Sequence, residues 1–510
     1  MTNHQLISNR KSTFSIQTMR SHPHLLEISA WPWLERLSRE AGRLITLADV
    51  PAPCWDRIAN DGFDYLFLMG VWRRSAIGRE IARTEPGRVA EYGRVLPGWI
   101  DSDVTGSPYC IQAYEPDERM GGWRGLEVAR VQLHKRGVLL ILDFVPNHTA
   151  FDHAWITEFP ERYVLGSAED CQRGPADFRP ITSRGRTLYV ACGRDPYFPP
   201  WTDVAQLNYF NPDTRDAVRA TLQTVASHCD GVRCDMAMLV FNDVFDRTWR
   251  RILRDRWETP STEFWRETTW MIPSPIYLAE VYWSLERRIL DEGFHFAYDK
   301  GFLDTLHAPN RSQHLRDWLA ASDPGPHRLC RFLENHDEPR SAAVLGEQLP
   351  AALCVMATIP GMRFFFDGQR DGRRLRMPVQ LGRWPDEAGD SRIQDLYDRV
   401  LDFAGDPVLH EGVWRILNVS SGGDDSWGNI LAYRWRLEDS VKMIVANLGD
   451  ITSQAAVDVA ADLPAGAEFD FDDRLTDEKY RWARDALSAT GLWVRLPAGR
   501  AHLFTVRPVG

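Results

Sequence analysis

The chain has 510 residues, of which 44% are hydrophobic and 26% charged, and a net charge of −11. This is an ordinary globular composition with room for two or three domains. The acidic balance argues against nucleic acid as a partner, and the lack of a long uncharged apolar run argues against a membrane-spanning segment.

Met1 to Ser21 carries Asn9-Arg10-Lys11 but no continuous apolar core. It reads as an N-terminal tail rather than a secretory signal, so cytoplasm is the expected compartment. Leu25 to Ile28 is a first strand. Ala30-Trp31-Pro32-Trp33 then reads as an irregular loop leading into a helix from Leu34 to Arg43. Asp64 to Met69 is a second, buried strand. From Trp123 to Arg136, Leu126, Ala129 and Leu133 recur at helical spacing before Gly137, a natural helix stop. Val138 to Leu142 follows as a third strand.

A long segment rich in Pro, Gly, Arg and aromatics separates His148 from Gln206. An insertion of this length inside a compact fold is expected to be a lid or subdomain. Asn211-Pro212-Asp213 caps the next helix. Further strands are expected at Gly231–Cys234, Pro275–Ala279, Phe294–Tyr298, Leu329–Leu333 and Arg363–Phe366, with a helix from Phe241 to Trp257. After Ala404 short runs such as Ile430–Trp435, Val441–Val445 and Leu492–Leu496 alternate with Gly, Asp and Pro, the texture of an antiparallel β domain. The eight cysteines are scattered without a CxxC pair and read as free thiols.

Four of these strands end in groups that do chemistry. They deliver Asp143 with Asn147-His148, Arg233 with Asp235, Glu280, and Glu334-Asn335-His336-Asp337. Alternation along a strand sets Arg233 and Asp235 on one face, where a guanidinium keeps a carboxylate ionised. Acid, amide and imidazole groups at successive strand ends describe the catalytic face of a parallel (β/α)8 barrel.

These residues resemble the alpha-amylase family of glycoside hydrolases and transferases, whose motifs read approximately DxxxNH, GxRxD, a strand-end Glu and NHD, in this order. The resemblance covers most of the chain. It implies a TIM barrel over residues 22–404 with an inserted subdomain at 149–205 after strand 3, and a C-terminal antiparallel β-sandwich over residues 405–510. It also implies Asp235 as nucleophile, Glu280 as general acid/base and Asp337 as the third catalytic carboxylate. His148 and His336 would hydrogen-bond the reacting sugar, with Asp143 and Asn147 bracing the site and Tyr109 a stacking platform.

Two departures bear on substrate. Starch-cleaving members usually follow GxRxD with a Lys-His pair, where this chain has Met238-Leu239. The loop after the eighth strand carries Arg370, Arg373, Arg374 and Arg376. Arginine's planar fork suits anions, which makes Arg373 and Arg374 candidate anion-binding residues. No compact run of Asp and Asn ligands supports calcium, and no metal or other cofactor is expected. The expected function is a retaining α-glycosidase for short α-glucosides, its partner a small carbohydrate. The alternatives are a glycosyltransferase of the same family and a non-catalytic carbohydrate-binding protein.

Overall fold

The computed structural model describes residues 20–183, 185–320 and 325–509, so most of the expected tail at 1–21 lies outside the described residues. Eight parallel strands close into a barrel: β1 His24–Ser29, β2 Tyr65–Met69, β3 Leu139–Phe144, β4 Gly231–Cys234, β5 Ile276–Ala279, β6 Phe296–Tyr298, β7 Leu329–Phe332 and β8 Met362–Phe366. They pair in chain order, and β8 returns to β1 through His24 opposite Arg363. The runs are short, apolar and bounded by turns, and each is buried on both faces, as an all-parallel sheet requires.

Alternation divides every strand between two cores. Leu25, Phe67, Ile141, Leu278, Phe332 and Phe364 fill the barrel interior. Ile28, Leu66, Leu140, Val232 and Phe365 join the layer between strands and helices. In β4 this rule sends Val232 and Cys234 outward and leaves Arg233 on the opposite face, in register with Asp143 of β3 and Leu278 of β5.

The helices used below are α1 Ala30–Ala41, α2 Ala52–Asn60, α3 Gly122–His134, α4 Pro212–Ser227, α5 Asn242–Leu253, α6 Phe264–Met271 and α7 Ser391–Ala404. Helix α1 corrects the sequence reading: Ala30-Trp31-Pro32-Trp33 is its first turn, not a loop. Proline is tolerated there because the first amides of a helix have no partner within it. Asn211 caps α4 as expected, its side chain accepting from the Asp213 amide. The expected helix at 241–257 stops at Leu253 and gives way to a 3-10 turn at Arg254–Arg256.

The insertion is a small antiparallel sheet of five strands, in which His148–Ala150 pairs with Trp201–Gln206 where the chain leaves and rejoins the barrel. The C-terminal part packs a six-stranded sheet against a three-stranded one around Val441, Met443, Phe469 and Val494. It sits against the barrel through Trp435, whose indole donates to the Thr358 carbonyl at 2.7 Å.

Candidate active site

The fully buried Arg233 reaches two carboxylates at once. Its Nη1 lies 2.7 Å from Asp235 Oδ1 and its Nη2 2.8 Å from Glu280 Oε2. Tyr109 and Tyr298 flank this guanidinium, with ring centroids 5.3 and 5.5 Å away. Two further donors serve Glu280: the Met236 amide at 2.8 Å on Oε2 and the Tyr282 hydroxyl at 2.8 Å on Oε1. Met236 holds this position in the left-handed region, φ 42°, where a non-glycine residue is strained.

Burial separates the acids. It pushes Glu280 up to about 7, with Arg233 opposing and the charge of Asp235 adding. Burial also raises Asp235, against the pull of Arg233. Asp337 moves the other way. Burial would raise it, but His336 holds it down at about 2.

His336 is the hub of the second half of the site. Its Nε2 lies 3.0 Å from Asp337 and 2.8 Å from the Tyr109 hydroxyl, and its Nδ1 lies 2.5 Å from Glu27 of β1. Burial opposes a charge on the ring, yet Asp337 and Glu27 together hold its pKa well above the usual histidine value. Asn335 fixes the turn by accepting from the amides of Asp337 and Glu338. Glu334 turns away from the cleft and accepts from Arg340 and from the amide and hydroxyl of Ser341, which makes it a support for the loop.

Asp143 accepts from the Gly70 amide at 2.7 Å, and burial raises its pKa to about 6. Asn147 exchanges hydrogen bonds with Gln206 and so ties the barrel to the insertion. His148 packs edge-on against Trp201, and burial holds its pKa down at about 4. Tyr109 lies stacked on His336, centroids 5.3 Å apart.

The structure thus draws Asp143, Arg233, Asp235, Glu280, His336, Asp337 and Tyr109 together, with Asn147 and His148 at the adjoining seam. Arg373 and Arg374 are not with them. Arg374 donates to the Ala342 carbonyl, and Arg373 stacks on Trp384 at 5.0 Å in a separate recess. From that loop it is Arg376 that reaches the site, donating to the Asp337 carbonyl at 3.1 Å and pairing with Glu91.

Sequence reading also missed Glu27 and Tyr282. A lone acid within the apolar run Leu25-Leu26-Glu27-Ile28 was the available signal for Glu27. For Tyr282 it was the position two residues after Glu280.

The surroundings of the site are unequal. Beyond Glu280, past Met236 and Tyr282, opens a cleft of about 1150 Å³ walled by Phe198, Trp201, Trp283 and Trp318. Beside His336, Met377, Leu381 and Trp384 line a small void of about 10 Å³. Two loops are stitched together behind that void. Thr105 donates to the Gln380 carbonyl at 2.8 Å, Gly382 to the Asp103 carbonyl at 2.7 Å, and Arg383 pairs with Asp103. Among the described residues no group of three or more His, Cys, Asp or Glu side chains is arranged to hold a metal ion, and no helix is long and apolar enough to cross a membrane.

A closed eight-stranded parallel barrel with antiparallel sheets in the C-terminal region is the fold of alpha-amylase-family enzymes. Comparison with known proteins bears this resemblance out. The chain is 20% identical over 284 residues to Alpha-amylase 3 of Dictyoglomus thermophilum, covering 49% of this chain and 51% of that one. It is 26% identical over 268 residues to the 4-alpha-glucanotransferase of Thermotoga maritima, covering 47% and 54%. The chain spans about half the length of these curated relatives. Among solved structures, the noncanonic maltogenic alpha-amylase AmyB of Thermotoga neapolitana superimposes with a TM-score of 0.65 at 17% identity, over 95% of this chain and 98% of that one. No family model matches the sequence.

Proposed function

We propose that the protein is a retaining α-glycosidase acting on short α-glucosides, with Asp235 as nucleophile and Glu280 as general acid/base. The observation that carries this reading is the shared guanidinium: Arg233 contacts Asp235 and Glu280 together, and burial pushes Glu280 up to about 7. Retention requires two carboxyl groups about 5 to 5.5 Å apart, one charged to attack the anomeric carbon and one protonated to release the leaving oxygen. Arg233 favours charge on Asp235 through a direct hydrogen bond, and burial favours the proton on Glu280. Asp337, anionic across the working range, then faces the positive charge that develops on the ring.

Met238-Leu239, standing where starch-cleaving members carry a Lys-His pair, supports a short substrate. Glu280 protonates the leaving oxygen, so the large cleft beside it would receive the leaving group. The same large cleft favours transfer as a second reading, since an acceptor would occupy it in place of water; one relative is named a 4-alpha-glucanotransferase.

Stereochemistry tests the mechanism for both readings. Double inversion through a covalent intermediate gives an α-product from an α-glycoside, visible by proton NMR before mutarotation. A β-anomer formed first would show that water attacks directly and would remove Asp235 from its role.

A further inference from the structure

Glu27 is an acid in a place built for an apolar residue. Along β1, Leu25 fills the barrel interior and Ile28 turns toward the helices, so alternation puts Glu27 on the interior face with Leu25. Its neighbours in register are Phe67 of β2 and Phe366 of β8, and its side chain is fully buried. A carboxylate there is costly unless it is paired. Among the described residues, His336 is the sole hydrogen-bond or ion-pair partner of the Glu27 side chain. His336 Nδ1 lies 2.5 Å from Oε1, while Oε2 is buried without a partner.

The other nitrogen of His336 faces Asp337 Oδ2 at 3.0 Å and the Tyr109 hydroxyl at 2.8 Å. Two states of the ring treat these contacts differently. With protons on both nitrogens, Nδ1–H donates to Glu27, and Nε2–H donates to Asp337 and the Tyr109 oxygen, which leaves the Tyr109 hydrogen for another acceptor. With a proton on Nδ1 alone, Nε2 presents a lone pair. Tyr109 must then donate to it, and the Asp337 carboxylate meets that lone pair instead of a donor. The charge behind the ring therefore decides what the groups in front of it can do.

We propose that Glu27 is a positioning residue whose charge holds the second proton on His336 and, through that ring, fixes Asp337 and the Tyr109 hydroxyl for reaction. The consequence for turnover rests on the proposed glycosidase reading; the proton on the ring does not. Other charges surround this line of groups. Asp143 of β3 and Asp235 just past β4 add negative charge. Arg233 and Arg376 add positive charge near Asp337, and Arg74 lines the void beside His336. These arginines are committed elsewhere: Arg233 to Asp235 and Glu280, Arg376 to Glu91, and Arg74 to Thr105 and the Gly106 carbonyl. The ring's own ion-pair partners are Glu27 and Asp337, which together outweigh its burial. Without the charge of Glu27, burial and the arginines would move the ring toward or below the ordinary histidine value of about 6.5.

The test uses the full chain and Glu27→Gln, which keeps an acceptor of the same shape for Nδ1–H and loses only the charge. Nitrogen NMR of the histidine-labelled wild type, with the His336 signals assigned by their loss in His336→Gln, should show both ring nitrogens protonated at pH 8. In Glu27→Gln the ring should be neutral at that pH. On an aryl α-glucoside, the ratio of variant to wild-type kcat should fall at least about tenfold between pH 5 and 7.5, with KM changed less, because the variant loses the ring proton as pH rises. In a His336→Gln background the same Glu27→Gln change should alter kcat by less than about twofold. Circular dichroism and Tm check the folding of the variants, and the wild-type ring measurement stands without them. A neutral His336 in the wild type at pH 8, a pH-independent kcat ratio, or an undiminished loss in the His336→Gln background would each overturn the role of Glu27. A wild type that cleaves no α-glucoside would instead remove the glycosidase reading, and the ring measurement would still decide whether Glu27 holds the proton.

Discussion

Tyr282 is the most economical lever on the proposed acid. Its hydroxyl donates to Glu280 Oε1 at 2.8 Å, and Tyr282→Phe removes that one oxygen while keeping the ring. A hydrogen bond to a charged acceptor contributes about 1.5–3 kcal/mol, and one to the neutral acid about 1, so the ionised form loses about 1 kcal/mol more than the protonated form. At about 1.4 kcal/mol per unit, this raises the Glu280 pKa by roughly 0.7. The sign follows from which form loses its donor: the carboxylate is disfavoured, so Glu280 keeps its proton to higher pH. The basic limb of kcat/KM on an aryl α-glucoside should start near 7 in the wild type and move to between roughly 7.5 and 8 in Tyr282→Phe. The plateau should fall by less than about tenfold, since Tyr282 positions the acid without being the proton donor. The measurement is a full pH–rate profile of both proteins. An unmoved basic limb, or one displaced downward, would refute the assignment of that limb to Glu280.

Asp235→Asn should lower kcat by at least about 10³-fold, because an amide cannot attack as a carboxylate does. Activity within tenfold of wild type, with deamidation excluded by mass spectrometry, would remove Asp235 from the mechanism. Glu280→Gln should impair alkyl α-glucosides far more than activated aryl ones, since only poor leaving groups need the proton; equal losses would count against Glu280. The base of the barrel should be acid-sensitive. His410 Nε2 accepts from Arg20 and its Nδ1 donates to the His22 carbonyl, while His22 Nδ1 accepts from the Gly361 amide, so both rings are bonded as neutral groups. Burial and Arg363 hold their pKa values down at about 2 for His22 and about 3 for His410. The unfolded chain takes up these protons below about 6.5, so stability is full above that pH and falls by about 1.4 kcal/mol per unit per histidine as pH drops. His410→Gln, which can keep both hydrogen bonds, should flatten urea-unfolding stability between pH 6.5 and 5 relative to wild type. Parallel slopes would exclude His410 as a cause.

The amino-acid sequence by itself determined the barrel and the order of its candidate catalytic groups. Both are written locally: short apolar runs give the strands, and the acids stand at or just past their ends, as Asp235 and Glu280 do. Strand alternation likewise made the Arg233–Asp235 pair readable from three adjacent letters. What tertiary structure decided are the contacts whose partners lie far apart in the chain. Glu27 reaches His336 across 309 residues, and Arg233 meets Glu280 only because β4 and β5 are neighbours. The arginine-rich loop shows the same limit. Its composition announced an anion site, but the folding of Gly368 and the position of Trp384 direct Arg373 toward α1 and leave Arg376 beside Asp337. A side chain's type is local, whereas the groups that satisfy or perturb it are brought by closure of the barrel, so chemistry could be read before its surroundings.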